Sequence, residues 1–385
     1  MGFVSKLSKL IVALTLLVFA SGCWDEQNLQ QVSYITALGV DYVDGQFEIH
    51  AQLIEFGSVA KKESSGSGSG TPLYVGKKTG ETPLQAYFNL MNTSQYKLSM
   101  DHLKTVVVHE RAFSHIRTII DGLNRMRATR YTANIFGTKD KMENLLDMDV
   151  FYNSTPLNSV LYSPEVSNRD NSSIRPYTMQ QLVREAFEPG MVSLLPSIKV
   201  NDMDWKAKKK SMNLVTLDGV FLFKRDNYIG FLSKSQVSGL VWKTEDFHRS
   251  AFTIELEEGK RATIVIQNSD LDTKVRWSGN EPIIELKGNV KVHIIESGKG
   301  FSRSKVEKKV EEHIKEEMQK TLANGFRLGA DLYQLEHHLY RYHYGKWKTL
   351  TKDGPWEPNE KAVSIVVHCE VTHSGEHKSQ FQEST

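Results

Sequence analysis

The sequence predicts a multi-domain α+β protein whose mixed sheets are covered by helices. Between residues 103 and 146, apolar runs with strand character alternate with amphipathic helical patterns, which indicates an α/β layer. Between residues 214 and 295, strand-like runs follow one another closely and indicate a large sheet. We therefore predict an N-terminal α/β region over residues 23–200, built as one unit or as two subdomains. A C-terminal α+β domain over residues 205–375 would combine the large sheet with two long amphipathic helices, and a polar tail, 376–385, would follow it.

The first residues have the pattern of a signal peptide. Two lysines precede an apolar run of eleven residues, Leu10 to Ala20, whereas a helix that crosses a bilayer needs roughly 20 residues. Small residues then lead into Cys23, which is typical of a lipobox. We predict that residues 1–22 are removed by cleavage between Gly22 and Cys23, and that the Cys23 thiol is lipidated. Two or three acyl chains would hold the protein stably on a membrane. The alternative is an ordinary signal peptide followed by a chance cysteine.

The composition excludes several other classes of protein. The chain has 48 basic and 46 acidic residues, so its charge balance gives no indication of nucleic-acid binding. It has two cysteines, and with Cys23 lipidated the other, Cys369, has no partner for a disulfide within the chain. The apolar run over residues 363–371 predicts instead that Cys369 is a small side chain in a strand. Removal of 22 residues from 385 leaves 363, enough for two or three domains with their own cores.

The N-terminal region begins with a predicted hairpin. Strands over residues 35–40 and 46–54 flank Asp44-Gly45, and Phe47, Ile49, Ala51 and Leu53 would share one face. A Gly/Ser-rich stretch, residues 61–70, predicts a flexible exposed loop. The residues Thr82 and Pro83 then predict the start of a helix that continues to about residue 93. The side chains expected on its buried face are Leu84, Tyr87, Phe88 and Met91.

The remaining N-terminal elements follow from hydrophobic periodicity. Strands are predicted over residues 103–108 and 131–136, and helices over residues 113–125, 139–146 and 179–187. Residues 151–180, rich in Asn, Ser and Pro, predict an extended loop.

The C-terminal domain is predicted to be mainly a sheet. A hairpin over residues 214–223 and 228–232 would follow a solvated lysine-rich loop, Lys206 to Lys210. Further strands are predicted over residues 251–256, 261–267, 273–277, 283–295 and 363–371.

Two helices would cover this sheet. The first would start with a capping box of Ser304 and Glu307 and end at Gly325, and its buried stripe would be Val306, Val310, Ile314, Met318 and Leu322. The second helix, over residues 331–344, would end at Gly345. The side chains expected on its buried face are Leu332, Leu335, Leu339 and Tyr342.

No grouping of residues in the sequence predicts catalysis, a metal or a cofactor. The group Glu336-His337-His338 with His343 invites comparison with zinc sites, but ligands on one helix sit four residues apart on one face. His337 and His338 would point about 100° apart, so we expect them to face solvent. Asp41 and Asp218 stand at strand ends without an evident partner. The five tryptophans of the second half, Trp205, Trp242, Trp277, Trp347 and Trp356, would fill cores or line a pocket or interface, which leaves the ligand-binding residues unknown.

Several motifs stand in a characteristic order along the chain. They are Cys23-Trp-Asp25, the strand over residues 35–41 ending in Leu-Gly-Val-Asp, His102 followed by the run Leu103 to Glu110, Arg125 with Arg130, the run Leu217 to Lys224, Gly230-Phe-Leu232, Gly239-Leu-Val-Trp242, and Gly329-Ala-Asp331 between two helices. Their order and spacing resemble the Ger(x)C family, the lipoprotein C subunits of spore germinant receptors. The stretch Gly354 to Pro358 departs from that pattern, because the family usually has a longer Trp-containing segment before its last strand.

The resemblance implies a non-catalytic, lipid-anchored subunit on the outer face of the inner membrane of a dormant spore. It implies three α+β domains and two integral membrane partners, the A and B subunits, in a complex that responds to a small-molecule nutrient germinant. Cys23 is the one site residue that it carries over. Two other functions stay open from the sequence. A solute-binding lipoprotein would need two similar α/β lobes around a cleft, and a membrane-anchored hydrolase would use the helix with His337 and His343.

Overall fold

A computed structural model describes residues 32–55, 72–126, 130–168, 174–243, 250–257, 260–297, 302–358 and 360–373. The strands are β1 (Val32–Val43), β2 (Gln46–Ile54), β3 (Leu73–Gly80), β4 (Lys97–Ser99), β5 (Thr105–His109), β6 (Asn134–Thr138), β7 (Ser193–Asn201), β8 (Lys206–Ala207), β9 (Lys210–Ser211), β10 (Leu214–Lys224), β11 (Asn227–Ser233), β12 (Ser250–Glu257), β13 (Lys260–Ser278), β14 (Glu281–Ser297) and β15 (Val363–His373). The α-helices are α1 (Pro83–Met91), α2 (Ile116–Arg125), α3 (Met142–Leu146), α4 (Pro164–Asn168), α5 (Met179–Phe187), α6 (Arg303–Phe326), α7 (Leu335–Tyr342) and α8 (Tyr344–Leu350). The loop predicted over residues 61–70 and the tail 376–385 lie outside the described residues.

Nine of the described strands form one mixed sheet. Its order is β11-β10-β7-β6-β5-β1-β2-β3, and β4 pairs with the start of β1. Strands β1, β5, β6 and β7 run parallel, whereas β2 and β10 pair antiparallel with their neighbours. The β1–β2 turn contains Asp44 and Gly45 with φ of 51° and 79°, and a two-residue hairpin turn of this kind needs positive φ at both positions. The predicted hairpin is confirmed, and so is the α+β class with mixed sheets covered by helices.

The central strands of this sheet are buried on both faces, which is why their sequences are almost continuously apolar. Helices α1, α2 and α5 cover one face and pack against side chains such as Ile35 and Val108. Helix α3 and the irregular segment 148–162 cover the other face, against Ala37 and Phe136. Tyr162 holds this segment in place, because its hydroxyl lies 2.8 Å from that of Thr36 inside the core.

Helix α1 begins as predicted but presents a different face. Thr82 Oγ1 accepts a hydrogen bond from the Gln85 amide at 3.1 Å, and Pro83 occupies the first turn. The buried residues are Pro83, Ala86, Tyr87 and Leu90. The prediction that Phe88 is buried was wrong, since its side chain is 52% exposed. The helix contacts β2 and β3, with Ala86 beside Gly80 and Leu90 beside Gly76, and Phe88 lies outside the core cluster that Ala86 and Leu90 join.

Four described strands form a second sheet in the order β12-β13-β14-β15. The runs predicted as separate strands over residues 261–267 and 273–277 are one strand, β13, which pairs with β14 along almost its whole length. A shift of register after Ile266 accommodates the polar residues between the two runs. Strand β15 runs parallel to β14 and forms one edge of the sheet.

Helix α6 covers the second sheet with the predicted stripe. All five residues from Val306 to Leu322 in that stripe are buried. Ser302 rather than Ser304 caps the helix, because Ser302 Oγ accepts a hydrogen bond from the Lys305 amide at 3.3 Å. The prediction that Gly325 ends the helix was also wrong. Gly325 lies within α6, and a Cβ there would come within 2.6 Å of the Ala330 carbonyl, so this glycine permits the close return of the chain.

The second long helix predicted for the C-terminal domain is divided into α7 and α8. The division is at His343, whose φ and ψ of −134° and 38° are not helical. Leu335 and Leu339 are buried as predicted, but Tyr342 is 71% exposed because the helix turns away from the core there. Gly345 lies in the first turn of α8 and does not end a helix.

Two carboxylates of α6 bond to the open side of strand β15. Glu311 Oε1 accepts a hydrogen bond from the Cys369 amide at 2.9 Å, and Glu307 Oε1 accepts one from the Val371 amide at 3.0 Å. An edge strand otherwise leaves such amides without partners. The helix therefore both covers one face of the sheet and closes part of its edge.

The two sheets are joined through β10 and β11. These strands follow the exposed ribbon β8–β9, where a solvated loop was predicted, and they complete the first sheet. Val220, Leu222 and Leu232 on these strands belong to the same apolar core as the stripe of α6. The predicted boundary near residue 205 therefore falls between two strands of one sheet, and the division of the chain into domains stays a prediction.

Candidate functional site

The residue with the clearest predicted role, Cys23, lies outside the described residues, as does the cleavage position after Gly22. The described chain begins at Val32, the first residue of β1. Within the described residues, no helix combines the length and the apolar character needed to cross a bilayer.

The carboxyl ends of β1 and β5 bring charged residues of two motifs together. Asp41, which is 3% exposed, accepts hydrogen bonds from Arg111 Nε at 3.1 Å, from Arg111 Nη2 and from the Tyr42 amide at 2.7 Å. His109 Nδ1 lies 3.5 Å from Asp41 Oδ1 and accepts a hydrogen bond from the Arg111 amide at 3.1 Å. The sequence shows no partner for Asp41, because Arg111 is 70 residues away along the chain.

Opposing effects set the pKa values in this group. Burial alone would raise the pKa of Asp41, but the hydrogen bond from Arg111, the field of His109 and the Tyr42 amide hold it below its ordinary value. Burial lowers the pKa of His109, and the nearby Asp41 carboxylate offsets this only in part. Asp41 is thus an ionised carboxylate with three donors already bound to it, which suits a structural ion pair better than a catalytic base.

A second contact extends this group toward the β10–β11 hairpin. The Tyr228 hydroxyl donates to Glu110 Oε1 at 2.5 Å, and Lys139 Nζ lies 3.8 Å from the same oxygen. Burial, with the Glu110 carboxylate adding to it, raises the pKa of Tyr228. The motif that ends in Glu110 and strand β11 are therefore in direct contact, although they are far apart in sequence.

The histidines of α7 do not form a metal site among the described residues. His337 and His338 are half-buried, so the prediction that they face solvent was wrong. His337 Nδ1 lies 3.0 Å from the Pro189 carbonyl, and the rings of His338 and His343 are 6.3 Å apart between centroids. Burial and the nearby Lys243 lower the pKa of His338. The arrangement gives no support to a hydrolase that uses this helix.

Possible metal-ligand atoms do converge at another position. Side-chain atoms of Glu48, His50 and Glu143 lie within 4.8 Å of one another. Lys77 Nζ lies 3.2 Å from Glu48 and 2.8 Å from Glu143, so its ammonium group already supplies the positive charge between the carboxylates. This group is best described as an ion-paired cluster. Sequence reasoning missed it because its members come from β2, β3 and α3.

A cavity of about 760 Å³ lies where the two halves of the chain meet. Its walls come from the end of α5 and the loop after it, the β10–β11 turn, the segment between α6 and α7, helix α8, and the loop of residues 354–358. Gly190, with φ of 72°, permits the close approach on one side, because a Cβ there would lie 2.8 Å from the His337 amide nitrogen. Trp347 and Trp356 line the cavity, as the sequence allowed for some tryptophans, whereas Trp242 fills the core.

Comparisons with known proteins agree over most of the chain. Residues 25–200 match the family described as "Spore germination protein N-terminal domain", and residues 218–375 match "Spore germination B3/ GerAC like, C-terminal". The chain is 22% identical over 332 residues to spore germination protein KC of Bacillus subtilis (strain 168), which covers 82% of this chain and 81% of that protein. It is 21% identical over 368 residues to spore germination protein B3 of the same organism, covering 91% and 92%.

A solved structure shows the same fold. The crystal structure of the GerBC protein superposes with a TM-score of 0.52 at 15% sequence identity, covering 87% of this chain and 96% of that one. With both family segments matched in order and the fold shared, the chain belongs to the GerAC-like family of spore germination proteins, as its motifs predicted.

Proposed function

We propose that this chain is the lipid-anchored C subunit of a nutrient germinant receptor, held at the outer face of the spore inner membrane beside integral membrane A and B subunits. The observation that carries the proposal is the match of both family segments, which together extend from residue 25 to residue 375. The apolar run that ends in Gly22-Cys23 supports anchoring. The role is one of binding and assembly, without catalysis by this chain.

The short distance along the chain between Cys23 and the first strand fits such a role. Cys23 precedes Val32, where β1 begins, by nine residues, and a chain of that length reaches at most about 30 Å. A lipid on Cys23 would therefore keep the first sheet close to the membrane surface. Partner subunits in the same membrane would then meet this body at a restricted set of orientations, which raises its effective concentration beside them.

The anchoring test is substitution of Cys23→Ala in the spore-forming host. We expect loss of labelling by an alkyne analogue of palmitate, release of the protein from the membrane fraction and a slower response to the nutrient that this receptor serves. Cys369→Ala is the matched control, because it removes the other cysteine of the chain and leaves the lipobox intact. A Cys23→Ala protein that stayed lipid-labelled and membrane-bound would refute the anchoring.

Assembly is tested separately by affinity purification of the tagged chain from detergent-solubilised spore membranes. We expect two multi-spanning membrane proteins to copurify with it in constant ratio, and the Cys369→Ala protein to behave in the same way. Recovery of the chain without any multi-spanning partner, from membranes in which both partners are detected, would overturn the receptor role.

A further inference from the structure

The cavity between the two halves of the chain contains a buried carboxylate that accepts few hydrogen bonds. Glu336, at the start of α7, is 7% exposed and lines the cavity. Within the described residues, one donor reaches its carboxylate, the indole Nε1 of Trp347, at the long distance of 3.4 Å. A carboxylate accepts about four hydrogen bonds when it is fully satisfied, so most of this bonding capacity faces the cavity unused.

A second acid strengthens the same negative region. Asp331 is 6% exposed and also lines the cavity. Its Oδ2 accepts a hydrogen bond from the Glu336 amide at 2.8 Å, whereas Oδ1 has no hydrogen-bond partner among the described residues. The backbone amides of Leu335 and Tyr333 also act on this carboxylate, and Oδ1 itself is closed to solvent, so Asp331 adds negative charge beside Glu336 and does not offer a further acceptor to a ligand.

Within the described part of the chain, neither acid forms a close ion pair, although the field of Lys243 acts on Asp331. Lys224 lines the cavity and its field acts on Glu336, but no contact within 4.0 Å joins the two among the described residues. Arg225 and Glu357 also line the cavity, at exposed positions, and carry opposite charges. Burial, countered only in part by Trp347 and Lys224, raises the pKa of Glu336, and burial likewise raises the pKa of Asp331.

Aromatic side chains form part of the cavity lining around these two acids. Phe187, Phe326, Trp347 and Trp356 contribute to the lining. The faces of such rings attract cations, and tryptophan does so most strongly. A pocket that combines aromatic faces with buried acids favours a positively charged group on an apolar body, since carboxylates bind its N–H donors and the rings pack against its carbon atoms.

We propose that this cavity is a binding site for a small organic ammonium compound. The ammonium group donates to Glu336 Oε1 and Oε2 and lies near Asp331, and the apolar part of the ligand packs against Trp347 and Trp356. The site goes beyond the proposed function, because anchoring and assembly need no ligand in this chain. Its walls come from both family-matched segments, so a bound ligand would also tie the two segments together.

The test uses the lipidated full chain in neutral detergent, titrated with 2-phenylethylammonium chloride by calorimetry, with protein-free micelles as the blank. We expect saturable binding to the wild-type chain, and binding at least about tenfold weaker for the neutral analogue 2-phenylethanol. Glu336→Gln should weaken binding of the ammonium probe at least about tenfold, because it removes the charge and keeps the shape. Glu357→Gln is the matched control, since it removes a charge from an exposed position of the same cavity.

A second variant protects the test against misfolding of Glu336→Gln. Phe187 is 77% exposed and lines the cavity, so Phe187→Lys adds a repelling cation at little cost to the fold. It should weaken binding of the ammonium probe by a larger factor than binding of 2-phenylethanol, which loses the contact with the Phe187 ring but meets no charge repulsion. The proposal is overturned if the ammonium probe shows no saturable binding below about 10 mM, or if it binds Glu336→Gln or Phe187→Lys as tightly as wild type.

Discussion

Replacing both Glu307 and Glu311 by alanine should destabilise the C-terminal sheet and open one strand of it. Each carboxylate accepts a hydrogen bond from an amide of β15, Glu311 from Cys369 at 2.9 Å and Glu307 from Val371 at 3.0 Å. A hydrogen bond to a charged group contributes roughly 1.5–3 kcal/mol to stability. The Glu307 side chain is 24% exposed and that of Glu311 is 32% exposed, so water partly replaces the lost acceptors. Alanine is also a better helix former than glutamate, which offsets a little more of the loss. We therefore expect the double variant to lose about 2 kcal/mol in the free energy of unfolding.

The assay combines urea denaturation with hydrogen–deuterium exchange read by mass spectrometry on peptides from residues 363–373. Exchange should accelerate at the amides of Cys369 and Val371 and stay slow elsewhere in the sheet. Glu312→Ala with Glu316→Ala is the matched control, because these acids pair with lysines on the exposed side of α6 and accept no hydrogen bond from a strand amide among the described residues. Unchanged exchange at Cys369 and Val371 in the Glu307→Ala/Glu311→Ala protein would show that the carboxylates do not hold the edge.

Three further predictions concern single sites. Arg111→Met should lower the free energy of unfolding by about 1–2 kcal/mol at pH 7, a figure discounted because the arginine is half exposed. The folded-state pKa of Asp41 is depressed, so the stabilisation by the Asp41–Arg111 pair is present above about pH 4 and is lost as the pH falls through that folded pKa. Denaturation curves of the variant and the wild type should therefore converge in acid. Burial, followed by the fields of Glu307 and Glu311, raises the pKa of the Cys369 thiol to about 12, so a thiol reagent at pH 8 should leave Cys369 unmodified until urea unfolds the chain, and rapid native modification would contradict this. Gly190→Ala should cost about 1–3 kcal/mol, because its φ is 72° and a Cβ would press on the start of α7; a melting temperature equal to wild type would refute the close packing.

Local sequence patterns were sufficient to predict the structure wherever one residue or one turn determines it. The Asp44-Gly45 hairpin, the helix over residues 179–187 and the stripe of α6 all follow from periodicity and turn chemistry, and each is present. Errors occurred where a distant contact decides instead. Phe88 has a helical position that the pattern assigns to the core, but the contact with β2 and β3 leaves it exposed.

The candidate sites were the least predictable part. Each candidate site combines side chains from segments that are separated by tens of residues or more. This holds for the Asp41–Arg111 pair, for the cluster with Lys77 and for the lining of the cavity around its two acids. The acids of the cavity are ordinary helix-start residues when the sequence is considered alone. The loop at Gly190, helix α8 and the loop over residues 354–358 pack around Glu336, and this packing makes its carboxylate a buried group that faces the cavity.

The shared sheet limits how far this protein can be treated as a set of modules. The family match changes from one segment to the other between residues 200 and 218, where the two segments could be separated if they were independent domains. Yet β7 ends at Asn201 and β10 begins at Leu214, and these strands pair with each other over nine positions. A fragment that stops at residue 200 would lose β10 and β11 and expose the long edge of β7, which invites aggregation. The two segments must therefore fold together, and a force or displacement applied to one of them is passed directly to the other through backbone hydrogen bonds.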